Sequence, residues 1–146
     1  ALTGKSYRLP TEAEWEYVAR GCEAGSCENF EFSGNDNLAK VGWYTYHRPS
    51  ASAQPVGGLP PNALGICDMS GNVWEWCSDW YSATYYPSGT TESTPQDNPE
   101  NTTPGSARVV RGGCWYGSAD GNRVASRGSW AYNGHDALVG FRLVLP

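Results

Sequence analysis

The run Asp68-Met69-Ser70-Gly71-Asn72-Val73-Trp74-Glu75-Trp76-Cys77 constrains the fold more than any other stretch. Ser70, Gly71 and Asn72 accept tight backbone geometry and set a turn. A strand follows, with Val73, Glu75 and Cys77 on one side and Trp74 and Trp76 on the other. The two indoles, with Trp80 soon after, are expected to anchor a core. Asp68 and Glu75 put hard oxygen ligands at the two ends of this turn, with the carbonyls of Gly71 and Val73 between them. Calcium takes carboxylates and backbone oxygens together, so these four residues form a candidate cation cage. The competing reading is a plain tight turn, with a solvated Asp and a Glu paired to an Arg.

A helix is predicted over residues 12–20. Thr11 is its N-cap and Glu14, three residues on, completes a capping box. Gly21 stops it, and Trp15 and Val18 share the buried face. Residues 21–61 show no convincing periodicity beyond one short predicted strand at 41–46. Residues 82–107 read as a long irregular loop with Pro87, Pro95, Pro99 and Pro104; loops of that length are functional or mobile. Asn101-Thr102-Thr103 within it matches a glycosylation acceptor, a pattern common by chance. Three short strands are predicted at 108–115, 123–127 and 139–144, the last with Val139, Phe141 and Leu143 alternating in a half-buried pattern. Arg111, Arg123, Arg127 and Arg142 are expected to pair with Asp68, Asp79 or Glu75 through two-point guanidinium contacts.

The 146 residues suit one domain, long enough to bury about two-thirds of its unfolded surface. Eighteen Gly and ten Pro argue for many turns and little helix. A net charge of −5 argues against a nucleic-acid partner. No apolar run approaches the ~18 residues of a membrane-spanning helix. Of five cysteines, Cys22 and Cys27 flank a turn and are placed to close a small loop. Cys67, Cys77 and Cys114 sit beside apolar residues and read as small buried hydrophobes. No zinc spacing is present, and His47 and His135 are too few for a histidine-rich metal site.

Two loops separate the C-terminal strands, residues 116–122 and 128–138. Both are dense in Tyr, Ser, Gly, Asn, Asp and His. Tyr and Trp give contact area at low entropy cost, while Ser, Gly and Asn adapt their hydrogen bonding, a bias shared with antibody combining loops. Ordinary surface turns favour some of the same residues. The aromatic content of these loops favours binding, with Tyr116, Ser118, Asp120, Asn122, Ser126, Trp130, Tyr132, Asn133, His135 and Asp136 as candidate contacts on one exposed face.

Four blocks carry a family resemblance: Arg8-Leu9-Pro10-Thr11-Glu12-Ala13-Glu14-Trp15-Glu16-Tyr17, then Asn62-Ala63-Leu64-Gly65-Ile66-Cys67 leading into the Asp68 run, then Arg111-Gly112-Gly113-Cys114-Trp115, then Gly140-Phe141-Arg142-Leu143. In order and span they resemble the formylglycine-generating-enzyme (sulfatase-modifying factor) family. The resemblance implies an α+β, C-type-lectin-like fold with little regular secondary structure, a small antiparallel sheet and long loops. It implies that residues 1–146 are a single C-type-lectin-like domain, the C-terminal part of a larger family domain, with a variable ligand-binding region at about 108–146. It also implies that the positions of Asp68, Gly71, Val73 and Glu75 hold a structural calcium, with no other cofactor required.

Oxidising members of that family carry two active-site cysteines after the Gly-Gly-Ser motif. The matching positions here are Gly117 and Asn122, so the resemblance implies no thiol-dependent catalysis. The C-terminal third resembles another branch of the family, the retroelement-diversified variable proteins of spirochaetes, through residues 108–113, 123–127 and 140–143. The expectation is a ligand-binding domain, not an enzyme, displaying a variable surface diversified by a retroelement. It is expected to act as a monomer at the cell surface of a bacterium, or secreted from one, with a protein or other macromolecule as ligand. Trp130 falls outside the residue palette of such diversification. The alternatives are a formylglycine-generating oxidoreductase acting on sulfatase cysteine, or a carbohydrate-binding module using a cation near Asp68.

Overall fold

The computed structural model describes residues 4–23, 26–45, 52–86 and 97–145. Helix α1 spans Glu12–Ala19. Both halves of its capping box form: the Glu14 N–H donates to Thr11 Oγ1 at 3.1 Å, and the Thr11 N–H donates to Glu14 Oε2 at 2.8 Å. Arg20 is the C-cap, and Gly21 leaves the helix at φ +58°, a conformation that favours glycine. A one-turn helix α2, Leu38–Val41, is capped by the Asn37 side chain. It takes Val41, the first residue of the strand predicted at 41–46; of the rest, Trp43 makes only an isolated bridge to Gly71, and Tyr46 lies outside the described residues. Asn37 decides this, because its carboxamide accepts the Ala39 N–H and starts a helical turn.

Strands β1 (Trp74–Trp80), β2 (Ala107–Arg111), β3 (Arg127–Ala131) and β4 (Val139–Gly140) form one sheet in the order β3-β2-β1-β4. The first two pairings are antiparallel, but β4 lies parallel to β1, so the expected antiparallel sheet is mixed. β1 and β3 run the same way. Residues 132–138 carry the chain from the end of β3 across to the opposite edge, where β4 sets off in that shared direction. The strand predicted at 123–127 is a turn after the single 3-10 turn Ala119–Asn122. β3 starts at Arg127 and runs on through Trp130 in unbroken register with β2. Only Val139 and Gly140 of the closing stretch join the sheet, while Val144 bridges Arg8.

The two faces of the sheet reverse the expectation for the indoles. Glu75, Cys77 and Asp79 are buried beneath α1, whereas Trp74, Trp76 and Trp80 are half-buried on the other face. The core beneath α1 is Trp15, Ala19, Met69, Cys77, Val109 and Val124. The reason lies in the helix. Glu12 is buried on α1 and Glu16 is half-buried, so the sheet face that meets them must supply cations. Arg127 forks onto Glu12, with Nε to Oε1 at 2.6 Å and Nη2 to Oε2 at 2.8 Å. Arg111 is fully buried, 3.5 Å from Glu12, bonded to Glu16, and donates to the carbonyls of Val124 and Ser126, each at 2.9 Å.

Of the four arginines expected beside Asp68, Asp79 or Glu75, only Arg142 is ion-paired with one of them, Glu75. Arg111 and Arg127 are taken by α1, and Arg123 pairs with Glu31 and Asp120. Asp79 is buried and accepts the N–H groups of Glu12 (2.7 Å) and Asn101 (2.9 Å) instead. Burial is the main influence raising its carboxyl pKa, opposed by those two amides. Asn101 is itself buried, with its amide donating to the Trp80 carbonyl at 2.8 Å, so the sequon is a structural element of the fold. Cys22 and Cys27 are disulfide-bonded; Cys77 and Cys114 are buried and Cys67 is half-buried. No helix among the described residues is long and apolar enough to cross a membrane.

Candidate ligand-binding face

Two segments cover the half-buried indole face of the sheet. The first leaves β2 through Gly112 (φ +92°) and Gly113 (φ +76°). A Cβ at Gly113 would stand 2.1 Å from Asn122 Oδ1, so only glycine lets the loop wrap this amide. Asn122 is 0% exposed, and its Nδ2 donates to the Ser118 carbonyl at 2.6 Å. It is the buried hub of the loop, not one of its contact residues. The backbone is fixed elsewhere by the Trp115 N–H on the Asn72 carbonyl (2.7 Å), the Gly71 N–H on the Gly112 carbonyl (2.7 Å) and Thr45 Oγ1 on the Trp115 carbonyl (3.3 Å). From this pinned backbone Tyr116, 69% exposed, projects with Ser118 and Asp120 into solvent, while Ser126 is half-buried.

The second segment follows β3. Trp130 belongs to the strand, in register with Arg108, and is half-buried under Gly134. A Cβ at Gly134 would lie 2.9 Å from Trp130 Cδ1, so the glycine lets the loop rest on the indole. Tyr132 is 60% exposed and meets Trp80 edge to face, with centroids 5.8 Å apart. Asn133, His135 and Asp136 are exposed, and Asp136 Oδ1 accepts the Leu138 N–H at 2.9 Å. The chain then returns to β1, where the Trp74 N–H donates to the Leu138 carbonyl at 2.8 Å. A Cβ at Gly121 in the first loop would lie 4.0 Å from Trp74 Cζ2, so the two loops meet at Trp74. Sequence reading takes Trp80 as a core anchor and does not count it or Arg108 among the candidate contacts, yet the Arg108 guanidinium stacks on Trp80 at 4.0 Å beside Tyr132. The signal available for Trp80 is the alternation of β1, which continues the side of Trp74 and Trp76.

The positions expected to lack thiols are neighbours. A Cβ at Gly117 would stand 3.5 Å from Asn122 Nδ2 and 3.6 Å from Cys114 Sγ. Burial raises the Cys114 pKa most, opposed by hydrogen bonds from the N–H groups of Tyr116 and Gly117 and from the Trp74 side chain.

At the start of β1, Asp68, Val73, Glu75 and Arg142 line a cavity of about 450 Å³, with Gly57 and Phe141 in its wall. Asp68 takes φ +59° and accepts the Gly57 N–H at 2.6 Å on Oδ2; its Oδ1 is buried without a hydrogen-bond partner among the described residues. Glu75 Oε2 accepts from Trp15 Nε1 and Arg142 Nε, and its Oε1 from Arg142 Nη2, each at 2.7 Å. The pairing of Glu75 to an arginine matches the plain-turn reading, while the buried, unpartnered oxygen of Asp68 does not. That oxygen fits a hard cation, and Glu75 Oε1 retains acceptor capacity. Gly71 is not among the residues lining the cavity. No cluster of three or more His, Cys, Asp or Glu forms among the described residues, so a cation here would rely on backbone carbonyls.

Comparison with known proteins places this architecture. The formylglycine-generating enzyme of Streptomyces coelicolor is 38% identical over 151 residues, covering 92% of this chain and 45% of the enzyme. Treponema denticola variable protein 1 superposes with a TM-score of 0.80 at 36% identity, covering 98% of this chain and 49% of that one. PvdO from Pseudomonas aeruginosa superposes with a TM-score of 0.78 at 32% identity, covering 97% of this chain and 53% of that one. The 146 residues thus span about half the length of these relatives. The sulfatase-modifying factor enzyme 1-like domain model matches residues 1–146 throughout, and the chain belongs to that family.

Proposed function

We propose that this domain binds a macromolecular ligand through the face formed by Tyr116, Ser118, Asp120, Ser126, Trp130, Tyr132, Asn133, His135 and Asp136, and that it does so without catalysis. The observation that carries this reading is the pair of exposed tyrosines, Tyr116 and Tyr132, on adjoining loops whose backbones are pinned by buried groups. Exposed aromatic side chains on a fixed backbone give contact area with little entropy to lose. The likeness to the Treponema denticola variable protein supports it, as do Gly117 and Asn122 at the positions where oxidising relatives carry cysteines. Diversification of these loops by a retroelement belongs to the same reading, and a reverse-transcriptase gene beside a near-repeat of the segment encoding residues 108–146 is its signature. Asp68 and Glu75, with the Val73 carbonyl, would hold a calcium ion that steadies the turn before β1.

The second reading, formylglycine formation on a sulfatase cysteine, is favoured by 38% identity to the Streptomyces coelicolor enzyme. One experiment separates the two. The purified domain is applied to a protein array and, in parallel, incubated with a cysteine-containing sulfatase peptide whose mass is followed. Binding that falls at least ~30-fold in Tyr116→Ala or Tyr132→Ala, corresponding to about 2 kcal/mol, supports the ligand-binding reading. Conversion of the peptide cysteine to formylglycine overturns it.

A further inference from the structure

Arg108 stands in the middle of an aromatic face. On β2 it lies in register with Trp80 of β1 on one side and Trp130 of β3 on the other. Its guanidinium stacks on Trp80 at 4.0 Å, and Tyr132 meets the same indole edge to face. It borders a cavity of about 620 Å³ whose wall also holds Arg8, Leu9, Trp76, Glu100 and Tyr132. The cavity adjoins the ligand face at Tyr132, while Tyr116 is not among its lining residues.

The charge of Arg108 is unmatched. Arg8, Arg20, Arg111, Arg123, Arg127 and Arg142 each pair with a carboxylate; among the described residues Arg108 alone does not. Its Nη1 donates to the Ser78 carbonyl, which together with the stack on Trp80 fixes the plane of the group. Among the described residues its Nε and Nη2 donate to no acceptor. Arg8 is held by Glu14 through two bonds of 2.6 Å and adds little net charge to the cavity. Glu100 is exposed, and its Oε1 accepts from Ser78 Oγ at 2.8 Å. A guanidinium is weakly hydrated, stacks on indoles and presents a planar fork that a carboxylate matches at two points. Aromatic walls lower the local dielectric and strengthen such a contact.

We propose that this cavity takes a carboxylate of a polypeptide ligand, from an acidic side chain or a free C-terminus, which bonds to Arg108 while an apolar neighbour packs on Trp76 and Tyr132. The proposal rests on the ligand-binding reading above and names the chemistry that its ligand carries. Glu100 sets the opposite preference, but an exposed charge is screened by water and salt more than a half-buried one.

The test uses an array of synthetic peptides made in pairs. Each Asp or Glu peptide stands beside its Asn or Gln counterpart, and each free C-terminus beside its amide. The purified protein is expected to favour the acid members by at least ~10-fold at low salt. The side-chain pairs and the terminus pairs tell the two sources apart. Arg108→Gln should abolish the preference, and Arg108→Lys, which keeps the charge but loses the fork, should restore only part of it. Glu100→Gln should tighten binding of the acid members about threefold. That variant leaves the stack of Arg108 on Trp80 intact, so it probes the cavity even where Arg108→Gln fails to fold. Equal retention of acid and amide members, or retention of neither, overturns the proposal, as does a Glu100→Gln variant that binds the acid members equally or less well. Binding that depends on Tyr116 but not on Arg108 overturns this cavity alone and leaves the ligand face standing.

Discussion

Arg127 reaches across 115 positions of sequence to fork onto Glu12, with its Nε and Nη2 on the two oxygens of one buried carboxylate. Arg111, its cross-strand partner, lies 3.5 Å from the same carboxylate. Removing one member of a buried pair leaves uncompensated charge and costs on the order of 3–5 kcal/mol. Glu12→Gln is therefore expected to unfold at much lower denaturant than wild type. Arg8→Gln, which breaks the exposed pair to Glu14, should change stability by less than ~1 kcal/mol. Equal midpoints for the two variants in chemical denaturation would sink this ranking.

Tyr132 and Trp130 sit two residues apart but differ in burial, so alanine should separate their roles. Tyr116→Ala should stay within about 0.5 kcal/mol of wild-type stability, as surface substitutions do. Tyr132→Ala forfeits its edge contact with Trp80, worth ~0.5–1.5 kcal/mol. Trp130→Ala removes the support under Gly134 and should cost the most of the three. Thermal unfolding of the variants checks the order, and the opposite order would mean the loop does not rest on Trp130.

The buried Oδ1 of Asp68 sets up a calcium test. A ligand for the native state alone adds about 2.7 kcal/mol at a hundred times its dissociation constant. Calcium should therefore raise the wild-type thermal midpoint, and Asp68→Ala should abolish the rise. A wild-type midpoint that neither chelator nor added calcium moves would reduce the site to a turn.

Burial pushes the thiols of Cys77 and Cys114 above the ordinary cysteine value of 9.0. The thiolate is the reactive form, so neither should react readily with iodoacetamide at pH 8 in the folded protein. Half-buried Cys67 is expected to label first. Mass analysis before and after denaturation reads this directly, and early modification of Cys114 in the native state would contradict it.

The capped helix was legible because a capping box is local: Thr11 and Glu14 are three residues apart and carry their partners with them. The alternation of β1 was legible for the same reason. Which of its faces meets the helix was not, because that depends on Glu12 and Glu16, about 60 residues upstream, and on the arginines they draw from β2 and β3. Two indoles outweigh one glutamate on any hydropathy scale, yet a buried acid must be matched by a base. Asn122 misled similarly. In sequence it is one polar turn residue among several, and only the close approach of Gly113 reveals it as the hub of its loop. The exposure of Tyr116, Tyr132, His135 and Asp136 was legible, because short runs rich in Gly, Asn and Asp seldom lie anywhere but the surface.

The ends of the first loop are fixed independently of its middle. Arg111 and Arg127 face each other across β2 and β3 and converge on one acid of α1, and Arg111 also holds the carbonyls of Val124 and Ser126. The closure entropy of everything between Trp115 and Arg123 is thereby set at its two ends, and doubling the length of a flexible loop adds only about 0.6 kcal/mol to it. Residues 116–121 are thus a natural grafting point: a foreign recognition peptide inserted there, with Gly113 and Asn122 kept, should be displayed on an otherwise unaltered scaffold.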